Sequence, residues 1–307
     1  MTDAPSGEES LTTRLLPLYG QEGLSALAAA RVLVIGLGGV GSSCAEALAR
    51  GGIGELFLVD RDVVEPSNLN RQALAFTSTV GRRKVDVMRE MVGQVNPSCR
   101  VETRHAFVAK DDLAELLTWA GAGRRGEARP GHDGGAVPRL APGRLTCVVD
   151  AIDTMSQKLA LAQLCWEDGI PLVSSMGGAN KVRPELLEFA DVRKTRVCRV
   201  ARTMRKECAK RGIRHLEVLY SPEEPVRPRA EAGSSHGGLT NLGTASFMPP
   251  IMGQMIAGRV IRAIVGLEPW RWQDRDRGEG EQDGRGAAGT QTAGGHLAPY
   301  DSPRSDA

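Results

Sequence analysis

Asp60, Asn68, Arg71 and Gln72 all fall within one short stretch, LVDRDVVEPSNLNRQ at 58–72, and Lys84 follows in VGRRKVDVMREMVGQVNP. A carboxylate at the end of an apolar run is placed to accept hydrogen bonds from ribose hydroxyls. An arginine presents a planar fork of donors to phosphate oxygens, and a lysine supplies a point charge. The Asn68 and Gln72 amides hold either a ligand or the loop itself. Upstream, GLGGVG puts Gly36, Gly38 and Gly41 in a GxGxxG pattern, with Gly39 inside it.

In that pattern the first glycine permits a tight turn, the second lets a phosphate approach the backbone, and the third lets helix and strand pack closely. The phosphate then meets the free N–H groups and positive dipole end of the following helix. Taken alone, the loop and Asp60 suit a nicotinamide dinucleotide and ATP equally. Arg71 and Lys84 favour ATP, because attack on a triphosphate must stabilise developing negative charge whereas hydride transfer has no such need.

The elements that must carry these residues alternate. RVLVIG (31–36) reads as a strand, and the alanine- and leucine-rich segment after the glycine loop as a helix ending at Gly51 and Gly52. Strands are expected at 55–60, 100–105, 146–151 and 171–175, with helices at 82–96 and over SQKLALAQLCWEDG. This pattern predicts an α/β fold: a Rossmann-like, doubly wound, mostly parallel sheet with a C-terminal α/β extension. The expected organisation is an N-terminal segment (1–30), a nucleotide-binding domain (31–178), a C-terminal part (179–267) and a disordered tail (268–307). A flexible insertion is expected at 121–145, which holds seven glycines and three prolines.

Four motifs in series, GLGGVGS, LVDRDVVEPSNLNRQ, VGRRKVDVMREMVGQVNP and VVDAIDTMSQK, resemble the adenylating domain of the ubiquitin-activating-like superfamily, which includes the ThiF, MoeB and HesA proteins. The resemblance implies that ATP and Mg2+ bind here. It makes Asp60 the ribose acid, Asn68, Arg71 and Lys84 the phosphate-contacting set, and Asp153 the carboxylate near the metal. The competing reading of Asp153 is a helix N-cap. Domains of this type commonly dimerise, and in some an arginine of the partner's N-terminal segment reaches the ATP; Arg14 is the candidate.

In the C-terminal half, KTRVCRVARTMRKECAKRGIRHLEVLYSPEEP and LGTASFMPPIMGQMIAGRVIRAIVG resemble the branch of tRNA threonylcarbamoyladenosine dehydratases, with Arg199 standing where that branch has proline. The resemblance implies ATP-dependent activation of the threonyl carboxylate on adenosine 37 of tRNA, followed by ring closure. Residues 193–214 carry ten Lys or Arg against one acid, Glu207, although the whole chain has a formal net charge of only +2. On a helix over 198–211, Arg199, Arg202, Lys206 and Lys210 share one face for RNA phosphates, and Val197, Val200, Ala201, Met204 and Cys208 share the other. A cysteine desulfurase or sulfur acceptor is a further candidate partner. The alternative function is an adenylating enzyme for a ubiquitin-like sulfur-carrier protein. For that alternative Cys198, flanked by Arg196 and Arg199, is the candidate thiol with a lowered pKa; the competing and favoured reading is a small packed residue at the helix edge.

The six cysteines form no CxxC pair, which argues against a zinc or dithiol site and for a reducing compartment. The N-terminus lacks secretory or transit character, so the expected location is the cytoplasm. The apolar segment after Leu239 is broken by two prolines, Arg259 and Arg262; it falls short of about twenty uninterrupted apolar residues, so no membrane span is expected. It reads instead as a buried helix or a homodimer surface.

Overall fold

The structure is a computed structural model that describes residues 9–122, 143–227 and 242–270. Most of the proposed insertion and nearly all of the proposed tail lie outside the described residues. One seven-stranded sheet runs through the molecule: β1 (Arg31–Ile35), β2 (Glu55–Asp60), β3 (Arg100–His105), β4 (Cys147–Asp150), β5 (Leu172–Ser175), β6 (Glu188–Asp191) and β7 (Glu217–Tyr220). Their spatial order is β3-β2-β1-β4-β5-β7-β6, and only the β6–β7 pair is antiparallel. The expected parallel sheet is therefore present, with β6 and β7 as its C-terminal extension. Residue 178 is not a break in the sheet, because β7 pairs directly with β5 across it.

The helices are α1 (Leu16–Ala29), α2 (Gly39–Arg50), α3 (Lys84–Val95), α4 (Leu113–Trp119), α5 (Met155–Glu167), α6 (Arg199–Lys210) and α7 (Met248–Ile264). Side chains alternate across the pleat of β1: Val32 and Val34 pack into one apolar cluster with α2, α3 and α7, while Leu33 and Ile35 pack into the other with α4, α5 and α6. The central strands are apolar on both faces because both faces are covered.

The C-terminal apolar segment takes the first of its two expected roles. Met248, Met252, Ile256, Val260 and Ile264 of α7 are fully buried against the sheet and α2, while Ile251 and Met255 on its other side are partly buried. Gly253 makes that packing close: a Cβ there would stand 2.3 Å from the Val40 carbonyl oxygen. Arg259, which interrupted the apolar run, is 1% exposed and pairs with Glu217 of β7, its Nε 2.7 Å from Oε1. Among the described residues no helix is long and apolar enough to cross a membrane.

Candidate active site

The sheet order reverses between β1 and β4, and an open α/β sheet forms its ligand crevice at such a reversal, beyond the carboxyl ends of the strands. A cleft of about 430 Å³ lies there, lined by Gly36, Gly38, Gly39, Asp60, Asn68, Arg71, Gln72, Lys84 and Asp153. Of the predicted nucleotide residues only Gly41 is absent from the lining. Its role is packing, since a Cβ on Gly41 would fall 1.7 Å from the Gly36 carbonyl oxygen. Gly36 adopts φ +89°, the left-handed turn that favours glycine, and a Cβ on Gly38 would meet nothing within 4 Å, leaving room for a ligand.

Asp60 ends β2 and ties the loops together. Its Oδ2 accepts from Leu37 N at 2.5 Å and its Oδ1 from Asp62 N at 2.7 Å. Each carboxylate oxygen retains a second lone pair for a ribose hydroxyl. Asn68 lines the cleft and also takes the loop-holding role that the sequence left open. Its Oδ1 accepts from Glu65 N at 3.1 Å, so the oxygen fixes the tight turn Pro66–Asn68. Asn68 thus holds the loop that carries Arg71. That arginine donates through Nη1 to Ser67 O and Asn70 Oδ1, at 2.9 and 2.8 Å, which braces its guanidinium at the cleft.

Lys84 opens α3 with its side chain 6% exposed, and its Nζ lies 3.0 Å from Asp62 Oδ2. The sequence reading overlooked Asp62, which lies two residues beyond Asp60 and carries the countercharge for this buried ammonium. Asp153 is exposed, and its Oδ1 accepts from the Thr154 hydroxyl at 3.2 Å. The N-cap position of α5 belongs to Thr154, so the helix-cap reading of Asp153 does not hold. Among the described residues no group of three or more His, Cys, Asp or Glu is arranged for a metal. Mg2+ does not need one, because it is held by one or two carboxylates and keeps its waters and substrate phosphates. Asp153, open and hard, with Asp62 on the same cleft, fits that requirement.

Beneath the Asp153 loop lies a buried pair that the sequence did not disclose. Lys158 Nζ stands 2.9 Å from Asp150 Oδ2, and the two side chains are 2% and 0% exposed. Ser174 Oγ donates to the same oxygen at 2.6 Å, while Asp150 Oδ1 accepts from Ile152 N at 3.1 Å. The pair fixes the turn that delivers Asp153. Lys158→Met leaves the carboxylate buried without its cation and is expected to cost on the order of 3 kcal/mol in denaturant unfolding. Adding Asp150→Asn to it should restore most of that loss; equal stability of wild type and Lys158→Met would show the pair to be inert.

The basic segment forms α6 as expected. Arg199, Arg202 and Lys206 are exposed and have no ion-pair partner among the described residues, while Ala201, Met204 and Cys208 are buried on the opposite side. Lys210, also exposed, differs from these three in having a partner: its Nζ lies 2.8 Å from Glu207, whose carboxyl is held down at about 2 by Lys210 and Arg211. Arg199 is the first residue of the helix, the position where proline is also favoured, so the departure from the branch's pattern leaves the helix intact. Just before it Val197 takes φ 60°, a strained conformation for a β-branched residue, and Cys198 N donates to Arg196 O at 2.6 Å. Cys198 is 5% exposed and packs into the apolar cluster behind α6. It is therefore not the accessible thiol that its arginine neighbours suggested. All six cysteines are free and buried, and burial pushes the Cys208 thiol up to about 11.

Comparison with known proteins agrees with this geometry. A family model described as "ThiF family" matches residues 11–275. The chain belongs to the ThiF family. Within that family it is 34% identical over 255 residues to tRNA threonylcarbamoyladenosine dehydratase of Bacillus subtilis, a match covering 80% of this chain and 91% of the relative. A crystal structure of the Escherichia coli tRNA N6-threonylcarbamoyladenosine dehydratase in complex with ATP superposes with a TM-score of 0.67 at 29% identity, covering 82% of this chain and 92% of that one. The molybdopterin-synthase adenylyltransferase of Salmonella typhimurium is 32% identical over 168 residues, covering 55% of this chain and 57% of that relative. The two enzymes named as dehydratases thus match across nearly their full length, including the C-terminal half that holds α6 and α7 of this ThiF-family chain.

Proposed function

We propose that this protein is an ATP-dependent tRNA threonylcarbamoyladenosine dehydratase, which converts N6-threonylcarbamoyladenosine at position 37 of tRNA to its cyclic form. The observation that carries the proposal is the joining of a phosphate-binding cleft to a basic helix in one fold, in a chain that matches the Bacillus subtilis dehydratase over 91% of that relative's length. The triphosphate of ATP lies across the glycine turn, with Arg71 and Lys84 against its oxygens and Asp60 on the ribose. Mg2+, where bound at Asp153, supplies further neutralisation of phosphate charge.

The reaction follows from charge. An oxygen of the threonyl carboxylate attacks a phosphorus of ATP, and the P–O bond to the leaving phosphate breaks. Arg71 and Lys84 stabilise the negative charge that develops there. The carboxyl carbon then bears a phosphorylated oxygen. The carbamoyl group closes on that carbon and gives up one N–H proton to solvent while the C–O bond to the phosphorylated oxygen breaks, so the oxygen leaves with its phosphate and the substrate has lost the elements of water. Lys84 reaches the phosphates by exchanging Asp62 for them; the buried ammonium keeps a countercharge in both states.

Arg199, Arg202 and Lys206 meet the tRNA backbone, with Lys210 contributing where it exchanges Glu207 for a phosphate. The free cysteines fit a reducing cytoplasm, where a tRNA substrate is also found. A homodimer is part of the proposal. Leu242 and Phe247, which flank the cleft-lining Thr244, are exposed apolar side chains that a second copy would cover.

Release of phosphate or pyrophosphate from ATP, measured with modified tRNA and with sulfur-carrier protein supplied separately, distinguishes the two activities. Stimulation by tRNA bearing threonylcarbamoyladenosine is expected. Stimulation by the carrier protein alone would identify a sulfur-carrier adenylating enzyme instead.

A further inference from the structure

Gln157 lies in the first turn of α5, is 6% exposed and lines the cleft, yet its Nε2 is buried with no hydrogen-bond partner among the described residues. A buried donor in that state is uncommon unless a ligand or a water meets it. The two faces of the sheet say which part of a ligand that is. Arg71 and Lys84, with the start of α2, rise from the face covered by α2, α3 and α7. Gln157 belongs to the face covered by α4, α5 and α6, and the cleft wall there is apolar: Ile35, Val59, Val108 and Ile152, with Phe107 half-exposed at the rim. A nucleotide laid across the glycine turn, with its phosphates toward the cations and its ribose at Asp60, places its base against that apolar wall. A flat apolar slot with one convergent polar group is the arrangement that orients a heterocycle.

We infer that Gln157 is a base-recognition residue, its carboxamide donating a hydrogen bond to a ring nitrogen of adenine. The inference rests on the nucleotide half of the proposed function and is independent of the RNA half. It also accounts for a glutamine within a run of buried residues, Gln157 to Ala162, where an apolar side chain would otherwise be expected.

The test pairs side-chain deletion with ligand-atom deletion. Dissociation constants of ATP and of 1-deaza-, 3-deaza- and 7-deaza-ATP are measured on the full chain without RNA, for wild type, Gln157→Leu and Gln157→Met. Both variants are expected to bind ATP about tenfold more weakly, the effect of one ordinary hydrogen bond. One deaza analogue should bind wild type equally weakly and lose nothing further in the variants, because the same bond is already absent. Unchanged ATP affinity in both folded variants would overturn the inference, as would additive losses for all three analogues. A raised KM for tRNA with normal ATP binding would assign the amide to the other substrate and overturn it as well. Failure of the dehydratase reading is a separate result, in which the wild-type enzyme binds ATP but leaves the modified nucleoside unchanged.

Discussion

Arg71→Ala and Lys84→Ala each lower ATP-dependent turnover at least about a hundredfold, the scale of removing one transition-state donor from a preorganised site. The reasons differ between the two. Arg71 is braced by Ser67 O and Asn70 Oδ1, so its fork is already aimed when the triphosphate arrives. Lys84 is a buried ammonium with Asp62 as countercharge, and alanine removes the cation while leaving the half-exposed carboxylate to water. Its loss should therefore act on catalysis more than on stability. Single-turnover kinetics with saturating ATP separate these effects, and near-wild-type rates in either variant would contradict the phosphate role.

The second large effect concerns RNA. Arg202→Glu with Lys206→Glu should weaken tRNA binding about tenfold or more near physiological salt and flatten the dependence of log K on log salt by about two units, since each phosphate contact contributes about 0.9 to that slope. ATP affinity should not change, because both side chains project from the exposed face of α6 and neither lines the cleft. Titrations at several salt concentrations read both quantities. An unchanged slope would remove this face from the interface.

Much of this was legible in the sequence because the signals were local. Strands of β1 and β2 type announce themselves as short apolar runs, and the glycine loop between β1 and α2 fixes where the chain turns. The cleft residues were legible for the same reason: Asp60, Arg71 and Lys84 lie close together along the chain and all open onto one cavity. What stayed hidden depends on contacts across the fold. Lys158 looks like an ordinary helical lysine until β4 brings Asp150 beneath it, and Gln157 looks like a surface amide until α5 is found buried along that turn. The available signal was the unbroken QKLALA run, which leaves no solvent face for its polar members. α7 was ambiguous because an apolar helix reads alike whether its own chain or a second copy covers it. Cys198 left two readings open, a thiol activated by arginine neighbours and a small packed residue at the helix edge; its burial in the apolar cluster behind α6 supports the second.

In the proposed reaction the cleft and the basic helix act together on one RNA. Mass spectrometry of nucleosides, released under mild conditions from tRNA that carries threonylcarbamoyladenosine after incubation with protein and ATP, tests it most directly. The modified nucleoside is expected to lose the mass of one water, only when ATP is present, and Lys84→Ala to slow that change at least about a hundredfold. An unaltered nucleoside with active wild-type protein and ATP would contradict it.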